Sequence, residues 1–256
     1  MKSFAPSLTA LATALLGLLA SCAHAAGVQN GDFAQGLQGW QTAGDASVQS
    51  TSAVGLSLGN ANATLLLGTA VTFTDDDAPA APGAYNLSGN DPVLSGDPAG
   101  LEASLGLPLN ALGSDVYEGS SAKQTFTVSA GDVVSFDFML ATHGLPMNEP
   151  DTAWMTWQAG SATPALSTLA STSPTMGSMA NGWFGTGWQH VSFTAGSSGQ
   201  FTLGFAVADV GSFTTTSLLG IQNVAVTAAV PEPESLTLVL TGLVLLGAAA
   251  RRVHQS

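Results

Sequence analysis

Two stretches of this chain alternate apolar and polar side chains at every second position, and that pattern fixes what the chain can fold into. Residues 133–141 read VVSFDFMLA, with Val134, Phe136, Phe138 and Leu140 on one side and Ser135, Asp137 and Met139 on the other. Residues 200–209 read QFTLGFAVAD and place Phe201, Leu203, Phe205 and Val207 together. A period of two is that of a half-buried strand, because successive side chains of an extended chain point to opposite faces. Residues 124–128 (QTFTV) lead through Ser129-Ala130-Gly131-Asp132 into the first of these runs, which predicts a hairpin. Residues 152–158, 188–194 and 218–227 are further expected strands, and no stretch holds a helical period over three turns. Many short strands joined by Gly-rich turns predict an all-β, antiparallel, jelly-roll-like sandwich over residues 26–229. Only residues 75–122 break the pattern. They are rich in proline, glycine and acid, and are expected to form a loop-rich acidic insertion.

Charge then narrows the function. Between residues 26 and 229 there are 15 acidic side chains and one basic one, Lys123. One lysine cannot neutralise a row of phosphates, so nucleic-acid binding is excluded, and attraction to an anionic lipid surface fails for the same reason.

The termini have a different composition. Lys2 precedes a 13-residue apolar run from Leu8 to Ala20, and Ala23-His24-Ala25 supplies a small-x-small cleavage site, so residues 1–25 are expected to be a signal peptide cut by signal peptidase. The run is shorter than the roughly 20 residues that span a bilayer. A second reading stays open: Leu19-Ala20-Ser21-Cys22 resembles a bacterial lipobox, in which Cys22, the only cysteine of the chain, would be acylated. Either way the folded part carries no disulfide.

At the other end, Pro231-Glu232-Pro233 is followed by an apolar run over residues 236–250 and by Arg251-Arg252. This ending resembles the PEP-CTERM sorting signal of Gram-negative bacteria. The resemblance implies export through the inner membrane, recognition of residues 230–256 by an exosortase, and a destination at the cell surface or in an exopolysaccharide or biofilm matrix. The physics agrees. Proline lacks an N–H and keeps the motif extended. Fifteen apolar residues span about 22 Å as a helix against a hydrocarbon core of about 30 Å, which suits a short transmembrane helix held temporarily, with its arginines inside.

The domain between the signals carries a second resemblance. Val28-Gln29-Asn30-Gly31-Asp32-Phe33, continuing to Gly39-Trp40, is similar to the opening of galactose-binding-like jelly rolls, a fold shared by many carbohydrate-binding modules. The blocks around Gly187-Trp188-Gln189, residues 201–205 and residues 219–224 resemble their last strands. Those modules usually hold a structural calcium with an acid after the early Phe and another in the last strand. Here those positions are Ala34 and Gln222, which removes two carboxylates from that site.

No nucleophile elbow, phosphate loop or zinc-ligand spacing is present, and His143 and His190 fall in separate elements. A glycosidase needs two facing carboxylates, and Asp137 with Glu149 or Asp151 is the pair such a reading would use. The expectation is therefore a non-catalytic protein. The alternative is a carbohydrate-binding module or a weak glycan-active enzyme. Asp75-Asp76-Asp77, with Asp91 and Asp97 nearby, is the candidate calcium site, against the plainer reading of a solvated acidic turn. Trp154, Trp157, Trp183 and Trp188 are candidate sugar-stacking residues, with Trp183 expected on a displayed loop; the other reading has all four in the core. Trp154 and Trp157 are an odd number apart in an expected strand, which puts them on opposite faces.

Overall fold

The rings of Phe136 and Phe205 meet edge to face at 4.8 Å, and around that contact two antiparallel sheets close on each other. The structure is a computed structural model that describes residues 27–59, 63–73, 80–144 and 150–229. The strands in chain order are β1 (Gln41–Ala43), β2 (Asp45–Gln49), β3 (Ser52–Ala53), β4 (Leu56–Ser57), β5 (Thr64–Gly68) and β6 (Val93–Leu94). After a single helical turn, α1 (Leu101–Leu105), come β7 (Val116–Val128), β8 (Val133–His143), β9 (Thr152–Ala159), β10 (Ala165–Ser171) and β11 (Gly177–Ser178). The last four are β12 (Trp183–Gly185), β13 (Gln189–Thr194), β14 (Gly199–Val210) and β15 (Ser217–Thr227). One sheet runs β1-β7-β14-β9-β10, with β6 also on β7. The other runs β11-β12-β8-β15-β5-β2, with β13 also on β8.

The alternating apolar faces build the core as the sequence predicts. Val134, Phe136, Phe138 and Leu140 of β8 meet Phe201, Leu203, Phe205 and Val207 of β14 across the interior. Burying such side chains contributes about 1.5–3 kcal/mol each. The all-β antiparallel sandwich is thus what the chain forms.

The predicted hairpin across residues 129–132 is not. β7 pairs with β14 and β8 pairs with β15, so these consecutive strands lie in opposite sheets. Asp132 explains the crossing. Its carboxylate accepts the N–H of Ser129 at 2.7 Å and of Ala229 at 3.0 Å, while its backbone pairs with Ala195. The turn is tied to both neighbouring chain segments and arches over the sandwich edge.

The opening motif is a structural clasp. Asn30 adopts a left-handed φ of +51°, and its side-chain amide donates to the carbonyls of Gly36 and Gln38. Phe33 is buried against Trp40 at 5.2 Å. The carbonyl of Gly31 accepts the N–H of Val224 in the last strand, fastening the two ends of the domain together.

Residues 75–122 differ from expectation in their second half. Val116–Ala122 is the first part of β7, a core strand, not loop. Before it, α1 presses Leu101 and Leu105 onto Trp154, Ala206 and Ala208, covering part of the outer face of the β7–β14–β9 sheet. Gly106, at φ +76°, ends the helix in the left-handed conformation that glycine adopts without strain. Glu102 is buried and accepts from Ser95 Oγ at 2.7 Å and Gly96 N–H at 3.0 Å, which holds the preceding loop down.

Candidate functional site

Where the two sheets meet along one side, the edge strand β10 faces β11, β12 and the start of β13, and a groove of about 440 Å³ lies between them. That volume falls within the usual range of small-molecule sites. Phe138, Leu169, Ala170 and Met176 supply its apolar surface, and Thr175, Thr186 and Gln189 its polar groups. No lining residue is titratable. The polar rim is held in place locally. Thr186 Oγ1 donates to the Gly187 carbonyl at 2.7 Å and accepts Leu140 N–H at 3.1 Å, and Gln189 Nε2 donates to the Thr186 carbonyl at 3.1 Å.

The aromatic side chains are distributed differently from the sequence expectation. Trp183 is not displayed: it is wholly buried, because β12 docks on β8 and segment 53–58 folds over it. Its ring packs edge-on against Tyr85 at 5.7 Å and against His143 at 5.2 Å. Trp154 and Trp157 do lie on opposite faces of β9. Trp157 packs on Phe193 and Phe201 toward the inter-sheet core, and Trp154 is buried under α1 on the other side. Trp188 is half-buried over Gly220, where an added Cβ would come within 3.2 Å of its ring. Tyr117 and Phe213 are the aromatic pair that faces solvent, 46% and 57% exposed and edge to face at 5.8 Å. The signal for Phe213 was available, since Gly211-Ser212-Phe213 between two strands is the same loop-aromatic pattern that favoured Trp183. Tyr117 lies at the start of β7, within the stretch that the sequence predicts as a loop-rich insertion.

Asp137 and Asp151 do not assemble into a catalytic pair. Asp137 lies on the face of β8 away from the core, where its carboxylate takes His190 Nδ1 at 2.7 Å and Asn223 Nδ2 at 2.7 Å. Asp151 is buried at the entry to β9 and accepts the Ser217 hydroxyl, so the two carboxylates do not share a cleft. Among the described residues no hydroxyl hydrogen-bonds the other ring nitrogen of His190, and no three His, Cys, Asp or Glu side chains converge as a metal-ligand group. Asp91 accepts the N–H of Thr72 at 2.7 Å and ties two segments 19 residues apart, while Asp97 accepts the N–H of Ala99 at 2.8 Å and holds a local turn. Gln222 donates to the Leu58 carbonyl and to Thr64.

Asp45 stands apart. It is wholly buried at the start of β2, and both its oxygens accept backbone N–H groups of Leu87 and Ser88. Burial raises its carboxyl above the usual range, with those hydrogen bonds pulling the other way. Glu118 is raised as well, by burial first and then by the charge of Asp91.

Several expected site residues lie outside the described residues: Cys22, Ala23 and Ala25 at one end, Asp75, Asp76 and Asp77 within, Glu149, and Pro231, Glu232, Pro233, Arg251 and Arg252 at the other. Among the described residues no helix is long and apolar enough to cross a membrane.

No protein-family model and no curated protein matches the sequence. Solved structures do resemble it in outline. The TmCBM61 structure in complex with β-1,4-galactotriose aligns at 10% identity over 78% of this chain and 97% of its own, with a TM-score of 0.39. The K3 cleaved adhesin domain of the Lys-gingipain of Porphyromonas gingivalis W83 aligns at 11% identity over 79% and 99%, with a TM-score of 0.38. A xylan-binding domain from carbohydrate-binding-module family 22 aligns at 10% identity over 77% and 91%, with a TM-score of 0.31.

Proposed function

We propose that this chain is an exported, non-catalytic β-sandwich that binds a neutral polysaccharide, with the groove between β10 and the β11–β13 edge as its site. One observation carries the reading: the groove is lined by apolar and hydroxyl or amide side chains, with no titratable group among them. A neutral sugar presents C–H faces and hydroxyls, which call for apolar contact and uncharged hydrogen-bonding groups. The same lining speaks against hydrolysis there, since glycoside cleavage needs two carboxylates across the bond. The terminal signals belong to the same proposal. Signal peptidase would cut after Ala25 and an exosortase would act at Pro231-Glu232-Pro233, releasing the sandwich to the cell surface or to an exopolysaccharide matrix.

The test is retention of the purified protein in affinity gels cast with a panel of soluble neutral polysaccharides, for wild type, Met176→Ala, Gln189→Ala and Phe213→Ala. The expected result is retardation by at least one glycan, weakened about tenfold in the two groove variants, which corresponds to about 1.4 kcal/mol. Phe213→Ala should bind as wild type does. Failure to bind any glycan, or unchanged binding in both groove variants, overturns the proposal. A second reading rests on the exposed Tyr117–Phe213 pair as a stacking platform. Loss of binding in Phe213→Ala alone would select it. Mass spectrometry of the secreted protein reads both processed ends.

A further inference from the structure

The groove beside β10 is apolar without being aromatic, and an irregularity in that strand makes it so. β10 pairs with β9 from Ala165 opposite Trp157 to Thr168 opposite Trp154, then resumes with Ala170 opposite Ala153, so Leu169 is an extra residue with no partner in the ladder. In a regular strand neighbouring side chains point to opposite faces. Here Leu169 and Ala170 both line the groove and both pack against the core between the sheets. Re-aiming a side chain in this way is what a β-bulge does. Met176 joins the same wall, set by a turn in which its N–H donates to the Ser173 carbonyl at 3.0 Å. Phe138, the aromatic lining residue, is 5% exposed, so the lining lays no ring open to the flat face of a sugar.

The polar groups of the lining are not equivalent. The Thr186 hydroxyl gives its proton to the Gly187 carbonyl and accepts Leu140 N–H, so its bonds are used within the protein. Gln189 Nε2 donates to the Thr186 carbonyl, and because a carbonyl only accepts, that bond fixes which end of the carboxamide is nitrogen. Its Oε1 has no hydrogen-bond partner among the described residues, and the Gln189 side chain is exposed. Thr175 adds an exposed hydroxyl. The groove thus combines an aliphatic wall with a free amide acceptor. Residues 152–208, which supply every lining residue except Phe138, contain no Asp, Glu, Lys or Arg.

We infer that the glycan taken by this groove carries acetamido groups, with the methyl of an N-acetyl substituent seated against Leu169, Ala170 and Met176 and its N–H donating to Gln189 Oε1. This rests on the groove being the glycan site, and narrows the neutral polysaccharide to one chemical class. An acetamido group joins a methyl to a hydrogen-bond donor and an acceptor, and it has no charge. The methyl is matched by aliphatic and thioether carbon, whose contact does not need the flat geometry of ring stacking. The amide N–H is matched by the unpaired carboxamide oxygen, and the amide carbonyl can accept from the Thr175 hydroxyl. A plain hydroxyl at the same sugar position satisfies Oε1 but brings no carbon to the wall, so the apolar contact is lost. A free amino group fares worse: it is cationic at neutral pH, and the lining holds no carboxylate to pair with it.

The test compares soluble β-1,4-linked oligomers of N-acetylglucosamine, glucose and glucosamine, equal in length and different only in the group on one carbon of each ring. Calorimetric titration of the purified protein should give about tenfold or more tighter binding of the N-acetylglucosamine oligomer than of the glucose oligomer, and no heat with the glucosamine oligomer. Leu169→Ala and Met176→Ala should each weaken binding of the acetylated oligomer about tenfold and of the glucose oligomer less, which narrows the ratio. Gln189→Leu should weaken both. Equal or tighter binding of the glucose oligomer overturns the inference, and so does a ratio that neither wall variant narrows. Should Leu169→Ala fail to fold, the half-buried Met176 decides through its own variant. Retention by other neutral polysaccharides in the affinity gels, with no heat from the acetylated oligomer, overturns the acetamido assignment and leaves the groove as a glycan site. Binding of no glycan in either experiment overturns both.

Discussion

The indole N–H of Trp183 donates to the carbonyl of Val54 at 3.1 Å, tying β12 to the segment that folds over the outer face of its sheet. Leu56, Leu58, Leu66 and Met139 close around the same ring. Trp183→Ala should therefore lower stability by about 3–5 kcal/mol through cavity formation. Trp183→Phe should cost less, about 1–3 kcal/mol, chiefly by leaving the Val54 carbonyl unpaired. Urea denaturation followed by far-ultraviolet circular dichroism measures both. If Trp183→Ala unfolds at the wild-type urea midpoint, the ring is not part of a packed layer.

The Asp45 carboxyl gives the fold a pH dependence whose sign follows from burial. A carboxyl whose pKa is raised in the folded state binds its proton more tightly there than in the unfolded chain. Its contribution to stability is full below the unfolded value of about 4 and is lost as pH rises through the raised folded value. Glu118 acts in the same direction. Between pH 4 and neutrality these two groups should make the domain less stable as pH increases. Asp45→Asn should flatten that decline in urea titrations run in chelator, and an unaltered slope would show that Asp45 is not the group responsible.

Gly31 leaves no room for a side chain. A Cβ at this position would come within 1.9 Å of the Val224 carbonyl oxygen, a backbone atom that cannot swing aside. Gly31→Ala should break the hydrogen bond from Val224 N–H to Gly31 and loosen the clasp between the first segment and β15. The expected loss is about 1–3 kcal/mol, within the range for overpacking a tight contact. Hydrogen exchange at Val224 should accelerate in the variant. Protection equal to wild type would contradict the clasp.

The turn of helix that covers Trp154 can be tested through the fluorescence of that residue. Leu105→Ala removes a buried side chain that packs with Trp154, and should cost about 2–5 kcal/mol. It should also shift part of the tryptophan emission to longer wavelength as water reaches the indole. An unshifted spectrum at equal destabilisation would mean that Leu101, Leu107 and Leu112 keep the ring covered without it.

The strands were readable because half-burial writes itself into sequence. Phe136 and Phe138 in β8, and Phe201, Leu203 and Phe205 in β14, repeat at two residues for the simple reason that one face of each sheet is dry. Pairing was less legible. Ser129–Asp132 has the composition of a hairpin turn, yet its hydrogen bonds to Ala195 and Ala229 carry the chain across to the other sheet. Such partners lie 63 and 97 positions away along the chain, beyond the reach of any local pattern. The aromatic residues show the same limit. Asn181-Gly182-Trp183-Phe184-Gly185 looks like a display loop until segment 53–58 is seen to close over it. Phe213 carries an equivalent local signal and is left uncovered.

Sequence alone settled the alternating faces, the want of positive charge around Lys123, and the opposed placement of Trp154 and Trp157, since each is a matter of residue type and a fixed pleat. Folding in three dimensions decided which strands became neighbours, which rings were covered and where the groove opened between β10 and β13. Those outcomes depend on contacts between distant parts of the chain, whose energies are set by burial and excluded water rather than by any residue's immediate neighbours.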